Sequence, residues 1–305
     1  MVRLVTLSRL SLLREDCCRR AIPGSVLDAL STVTTTFDCH LLQRSAGNRP
    51  LDVLGTSEQQ RRLQTAAADR FITVQVVTPD ESVGLQFPNW VNVSIQTQAE
   101  PEAVTRWLSR PVIGSLAALD WLHVELPDAA DHWQWIEVSL RAAADAADCC
   151  GTTLIVTATD GETEDPGQFE SLLWEDRIRV PLWIRDGAAG CRRVSRPTGS
   201  FDVLETVLSS LGIGAASSPV GASLDLRSLH GGYGPDESRS IRISREGCEA
   251  VRTRDFLFVR TQSGEFGEKT ALYGKPYDVW NVHDLSHEFP DVADDLSVLL
   301  SKEPV

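Results

Sequence analysis

The residues best suited to chemistry are crowded into one short stretch. Asp160-Gly161-Glu162, followed by Glu164 and Asp165, places four carboxylates within six residues. Adjacent carboxylates repel one another, and a hard divalent cation with a preference for oxygen ligands is the species that would hold them together. Asp160 and Glu162 alone offer at most about four oxygens, where calcium takes roughly six to eight. The spacing also lacks the Asp-x-Asp-x-Asp-Gly of an EF-hand loop. The simpler reading of the same residues is a solvated loop at the C-terminal edge of a sheet, although ligands favour that edge in open α/β sheets.

Other reactive side chains have less support around them. Cys39 could be a nucleophile or a small core residue. His283 and His287 stand four apart, but no Glu-x-x-His lies between them. His230-Gly231-Gly232 has the look of an esterase oxyanion loop, yet no Gly-x-Ser-x-Gly accompanies it. Gly212-x-Gly214-x-x-Ser217 follows a helix and misses its last glycine, so it is not a dinucleotide fingerprint. The only lysines are Lys269, Lys275 and Lys302, all in the C-terminal part.

Two apolar runs flank the acidic turn, Thr153–Ala158 and Arg179–Ile184. Both are apolar on consecutive residues, as strands covered on two faces are, which predicts parallel neighbours in one central sheet. Shorter strands are expected at Leu4–Leu7, Leu51–Leu54, Phe71–Val77 and Ala118–Val124. Helices are expected at Ser25–Val33, Glu100–Arg110, Trp133–Asp148 and Phe201–Leu211 from their i, i+3, i+4 apolar spacing. Thr56-Ser57-Glu58-Gln59 reads as a capping box that opens a helix to about Asp69. Beyond a Gly-rich linker at 230–234 come alternating runs at Ser240–Ile243, Glu249–Arg260 and Ala271–Tyr277, then a helix started by Pro290. The fold class is therefore α/β, a mostly parallel central sheet flanked by helices, with a small C-terminal antiparallel α+β subdomain. The boundary is expected at 1–230 and 231–305.

The segment Trp174-Glu175-Asp176-Arg177-Ile178-Arg179-Val180-Pro181-Leu182 resembles the Tyr-Glu-x-x-Ile-Arg-Val-Pro-Leu run of the sulfatase family, in the alkaline-phosphatase superfamily. Leu27-Asp28-Ala29-Leu30 with Phe37-Asp38, Gly221-Ala222-Ser223-Leu224, and Ala250-Val251-Arg252-Thr253 with Leu272-Tyr273 resemble further sulfatase segments. The resemblance implies an alkaline-phosphatase-like fold and sulfate-ester hydrolysis with a divalent cation, commonly calcium. It also implies a Cys or Ser nucleophile in a Cys/Ser-x-Pro-Ser-Arg motif.

The chain departs from that pattern at each catalytic part. No Cys/Ser-x-Pro-Ser-Arg is present. The first strand is followed by Ser8 and Arg9 instead of an acidic pair. Read without a gap, Thr159 and Asp160 align with the family's metal-binding Asp and His; a one-residue slip aligns Asp160 with that Asp, and either way the His is absent, while Glu170 falls near the catalytic Lys. A vestigial pocket of Ser8, Arg9, Thr159, Asp160, Glu162 and Glu170 is expected, with Asp160 and Glu162 the only candidate metal ligands. The resemblance thus implies a degenerate sulfatase-like protein with a binding or regulatory role and no cofactor. The alternative is a sulfate- or phosphate-ester hydrolase with an altered site around Asp160, using calcium or another divalent cation.

Composition narrows the partners. A net charge of -14 disfavours nucleic acid and anionic membranes. A small anionic ligand or a protein partner is left as the expectation. Seven cysteines, with two pairs adjacent in sequence, form no disulfide framework and suggest reduced thiols. No run reads as a signal peptide or a membrane span, and the cytoplasm is the expected compartment.

Overall fold

Runs of β-branched and aliphatic residues pair along their backbones and leave their side chains to the two faces of a sheet. The structure, a computed structural model, describes residues 2–7, 35–37, 39–41, 43, 54–70, 72, 74–78, 93–97, 120–126, 152–159, 173–186, 192–214, 223–231, 239–245, 247–263 and 267–301. The first strands are β1 (Val2–Leu7), β2 (Thr35–Phe37), β3 (His40–Leu41), β4 (Val74–Thr78), β5 (Val93–Thr97), β6 (Trp121–Leu126) and β7 (Thr153–Ala158). They are followed by β8 (Leu182–Arg185), β9 (Arg193–Val194) and β10 (Thr198–Gly199). One mixed sheet runs in the order β5-β4-β6-β1-β7-β8-β2-β9, and β3 pairs with β10 beside it. The neighbours β5–β4, β4–β6, β6–β1 and β1–β7 are parallel.

The direction of β8 corrects the sequence expectation. It lies beside β7 in the same sheet, but antiparallel, with Thr157 opposite Leu182 and Leu154 opposite Arg185. Chain leaving the end of β7 therefore re-enters the sheet at the edge it left, and Thr157 Oγ1 donates to Pro181 O at that edge (3.1 Å). Burial on both faces explains the apolar run but does not set strand direction; the connection does. The strand also starts later than expected. Arg179 makes a single antiparallel bridge to Leu41, and Val180 N donates to His40 O, before Leu182 joins β8.

Helix α1 (Ser57–Arg70) opens on the expected box: Thr56 N donates to Gln59 Oε1 (2.8 Å) and Gln59 N to Thr56 Oγ1 (3.2 Å). Leu54 is helical, not the end of a strand, and residues 51–53 lie outside the described residues. Helix α2 (Glu175–Ile178) is one turn, and α3 spans Ser200–Ser210. Val203, Leu204, Val207 and Leu208 of α3 join Trp121, Ile155, Leu182 and Ile184 of the sheet in one core. Full burial of such an aliphatic side chain contributes roughly 1.5–3 kcal/mol. Gly55 is where the chain passes closest to α3: an added Cβ would lie 2.1 Å from Leu204. The helices expected at 25–33, 100–110 and 133–148 lie outside the described residues.

After a 3-10 turn (Leu226–Gly231) come β11 (Ile241–Arg245), β12 (Cys248–Arg252), β13 (Phe256–Ser263) and β14 (Gly267–Gly274), an antiparallel sheet in chain order. Gly247 turns β11 into β12 at φ 83°, a left-handed conformation that favours glycine. The run expected from Glu249 to Arg260 is two strands, broken at Thr253–Asp255. There Thr253 N donates to Phe256 O, and Phe256 N to Thr253 Oγ1. Helix α4 (Pro290–Ser301) covers one face of this sheet through Leu296 and Leu300, against Val251, Phe258 and Leu272. The other face, Ile241, Ile243, Cys248, Ala250, Leu257 and Val259, packs on Leu41, Leu173 and Ile178. No helix among the described residues is long and apolar enough to cross a membrane.

Candidate functional site

Of the six residues of the expected pocket, Thr159 is described. It follows β7 directly, and its side chain is buried, at 4% exposure. Ser8, Arg9, Asp160, Glu162 and Glu170 lie outside the described residues, as does the acidic turn as a whole. The Thr159 side chain is a neutral hydroxyl, where the ungapped alignment with the sulfatase pattern has a charged metal ligand. Among the described residues no three His, Cys, Asp or Glu side chains converge on a possible ion.

The best-matched segment builds a different kind of centre. Trp174 stands at the N-cap of α2, and Glu175 opens that helix with its side chain buried. Three cations surround this carboxylate. Arg179 Nη1 approaches Glu175 Oε2 at 3.7 Å from one turn along the chain. Arg252 Nε and Lys275 Nζ approach Oε1 at 3.5 and 3.7 Å from the antiparallel sheet. At these separations the contacts are ion pairs and not short hydrogen bonds.

Strand parity explains the convergence. Arg252 shares the period-two face of Cys248 and Ala250, which packs toward Leu41 and Ile178. Lys275, two residues after Tyr273 of the same core, follows that parity to the same side. Its ammonium also donates to Asn281 Oδ1 (2.6 Å) and to Asp278 O. Burial holds the lysine below its ordinary pKa, Glu175 acts to raise it, and Arg252 lowers it.

A second polar network lies at the start of α3. Gly199 N donates to Asp202 Oδ2 (2.8 Å), the capping contact of that helix. Asp202 Oδ1 accepts from Leu224 N (2.7 Å) and from Arg239 Nη2 (2.6 Å). Phe201 N donates to Gln43 Oε1, and Gly199 leaves room for that amide: an added Cβ would lie 2.2 Å from the same oxygen. His40, fully buried nearby, has Nδ1 3.0 Å from Thr198 Oγ1, while its Nε2 has no partner. Burial, helped by the Arg239 guanidinium, lowers its pKa to about 3, so the ring is neutral. An imidazole nitrogen can ligate a metal, but the neighbouring Arg239 guanidinium repels a cation, the Asp202 carboxylate is taken up by Arg239, and among the described residues no three metal-ligating side chains gather here. The described residues do not fit a calcium site.

A cleft of about 350 Å³ runs along α1, lined by Glu58, Arg61, Arg62, Thr65, Ala66, Asp69, Ile213 and Gly214. None of the expected site residues lines it. Its Arg62 is engaged by Glu205 and by the Gly214 carbonyl. Glu175, Arg252 and Lys275 stand far apart in sequence with no motif to link them, and nothing local marks His40. Strand parity at Arg252 was the one available signal.

No protein-family model and no curated protein matches the chain. Solved structures do. A protein of the alkaline phosphatase superfamily from Vibrio parahaemolyticus superposes with a TM-score of 0.67 at 14% identity, covering 99% of this chain and 86% of that one. The phosphonate monoester hydrolase of Agrobacterium radiobacter gives 0.65 at 14% identity, covering 98% and 94%. BT4656, solved with its substrate D-glucosamine-2-N,6-O-disulfate, gives 0.66 at 11% identity, covering 99% and 96%. The sequence resemblance and these superpositions agree on architecture: this chain has the fold shared by sulfatases and the other members of the alkaline-phosphatase superfamily.

Proposed function

We propose that the chain is a sulfatase-like protein whose catalytic site has degenerated and which serves in binding or regulation. One observation carries the reading: Thr159, buried directly after β7, stands where the ungapped alignment puts the family's metal-binding Asp, and with a one-residue slip that puts Asp160 there the His is still absent. Members of this superfamily generally use divalent metals. A hydroxyl supplies no charge to a hard cation, and without the cation the developing charge on a sulfate oxygen loses its main stabilisation, about 10²–10³ in rate for even one such contact. The absent nucleophile motif and the glutamate near the lysine position point the same way.

In this reading Ser8, Arg9, Thr159, Asp160, Glu162 and Glu170 line a vestigial pocket, with Arg9 the group that would meet a small anionic ligand. The central sheet is the mostly parallel one of the superfamily, and residues 1–230 and 231–305 are its two parts. The second part shares its inner core with the first, so we place the boundary near Gly231 without treating the C-terminal sheet as independent. The buried cysteines Cys39 and Cys248 suit a reducing, cytoplasmic setting.

The test is metal analysis after gel filtration in calcium-containing buffer, beside assays on aryl sulfates, phosphate monoesters and phosphonate monoesters. Substoichiometric metal and no turnover are expected. One equivalent of metal, with turnover abolished by Asp160→Ala, would replace this reading by a hydrolase with an altered metal site at Asp160 and Glu162.

A further inference from the structure

Among the described residues, the large apolar side chains left exposed all fall in one segment of the C-terminal part. Tyr277 is 94% exposed, Val282 67% and Trp280 56%, with Phe289 and Val298 further along. The first three sit on a loop whose backbone is fixed from within. Asp278 accepts Val282 N through Oδ1 (2.9 Å) and His283 N through Oδ2 (3.0 Å). Asp278 N donates to Gly274 O, and Lys275 Nζ ties Asp278 O to Asn281 Oδ1. Asn281 adopts φ 55°, and its amide reaches Leu173 O across the inner core (3.4 Å). Core burial therefore holds the loop while its aromatic side chains face water.

An exposed apolar patch with a polar rim marks an interaction surface. Trp and Tyr dominate the energetics of such surfaces, and a backbone ordered beforehand reduces what binding must freeze. The rim chooses the partner. The Phe289 ring packs tilted against that of Phe256 with centroids 5.8 Å apart, and Phe256 pairs with Gly274, so α4 begins next to the loop. Glu288 precedes α4 and the exposed Asp291, Asp294 and Asp295 lie along it, while the exposed Arg254 and Asp255 of the turn between β12 and β13 carry opposite charges. A second copy of a chain carrying -14 would bring like charge to this rim. A basic partner is attracted to it.

We infer that the Lys275–His283 loop is a docking surface for a basic segment of another protein, one that offers aliphatic side chains to Tyr277, Trp280 and Val282. The inference is independent of catalytic degeneracy, because none of these residues belongs to the pocket beyond β7. It is tested by panning phage-displayed random peptides on the full chain, with counter-selection on the Tyr277→Ser/Trp280→Ser variant. Both positions face solvent, so the variant should keep the wild-type circular dichroism and melting temperature. Enriched peptides should combine Arg or Lys with Leu, Ile or Val. Synthetic copies should bind the variant about tenfold or more weakly, and binding should weaken with salt. No enrichment, acidic consensus peptides, or equal binding to both proteins would overturn the inference. So would a dimer in sedimentation that the double substitution dissolves, since the occupant would then be a second copy.

Discussion

Two buried carboxylates organise this molecule in opposite ways. Asp202 is saturated with hydrogen bonds: Gly199 N, Leu224 N and Arg239 all meet it at 2.6–2.8 Å. Glu175 has three cations at 3.5–3.7 Å, and its Oε1 accepts no hydrogen bond. The first works as a cap and loop fastener, where short charge-assisted contacts replace lost hydration. The second works as a counter-charge. Its value lies in neutralising Arg252 and Lys275, which the packing of the antiparallel sheet has already removed from water. Buried ion pairs are seldom strongly stabilising as pairs, but removing one partner is damaging because the other charge remains buried.

That contrast can be broken by substitution. Glu175→Ala should have the largest effect, a loss of about 3–5 kcal/mol in urea unfolding, because two buried cations lose their common partner. A loss near 1 kcal/mol would show that Asn281 and the Asp278 carbonyl suffice for Lys275. Asp202→Ala should cost about 2–4 kcal/mol, combining a lost helix cap with two other contacts deprived of their acceptor. Differential scanning calorimetry should show it, with Asp202→Asn milder because one acceptor oxygen remains.

The Asp202 side also carries a pH signature. His40 has a folded pKa of about 3 against 6.5 for the free side chain. Between those values the unfolded chain binds a proton that the folded chain refuses, so stability is complete above 6.5 and falls as pH drops toward 3. The slope for one proton is about 1.4 kcal/mol per pH unit, or about 2 kcal/mol between pH 6.5 and 5. Denaturant titrations across that range should flatten in His40→Gln. A wild-type profile already flat there would show that the imidazole is not neutral and buried in solution. The smallest effect is expected for Lys275→Met, about 1 kcal/mol, since a similar apolar volume replaces a desolvated ammonium and Glu175 keeps Arg252 and Arg179. A cost equal to that of Glu175→Ala would mean that the lysine, not the carboxylate, is the hub.

Legibility followed the range of the interactions. The Thr56–Gln59 box was readable because both contacts span three residues, and Thr153–Ala158 because a strand buried on both faces must be apolar at consecutive positions. The segment from Trp174 to Leu182 carried enough local pattern to indicate the superfamily. Thr159 was aligned by counting along the chain; it follows β7 directly and is buried, while the rest of the expected pocket lies outside the described residues. The break at Thr253–Asp255 was missed because alternation continues on both sides of it, and only the Thr253–Phe256 hydrogen bonds mark the turn.

What the sequence determined by itself was local: which runs are apolar, where α1 begins, and that the nucleophile motif and the acidic pair after the first strand are absent. Composition also set the net charge of -14. The tertiary structure decided direction and partnership. It turned β8 antiparallel to β7, brought Arg252 and Lys275 to Glu175, and left His40 neutral beside Arg239. None of these could be read along the chain, because an ion pair or a strand direction depends on elements far apart in sequence, and the field at a buried group is set by whatever the fold packs against it.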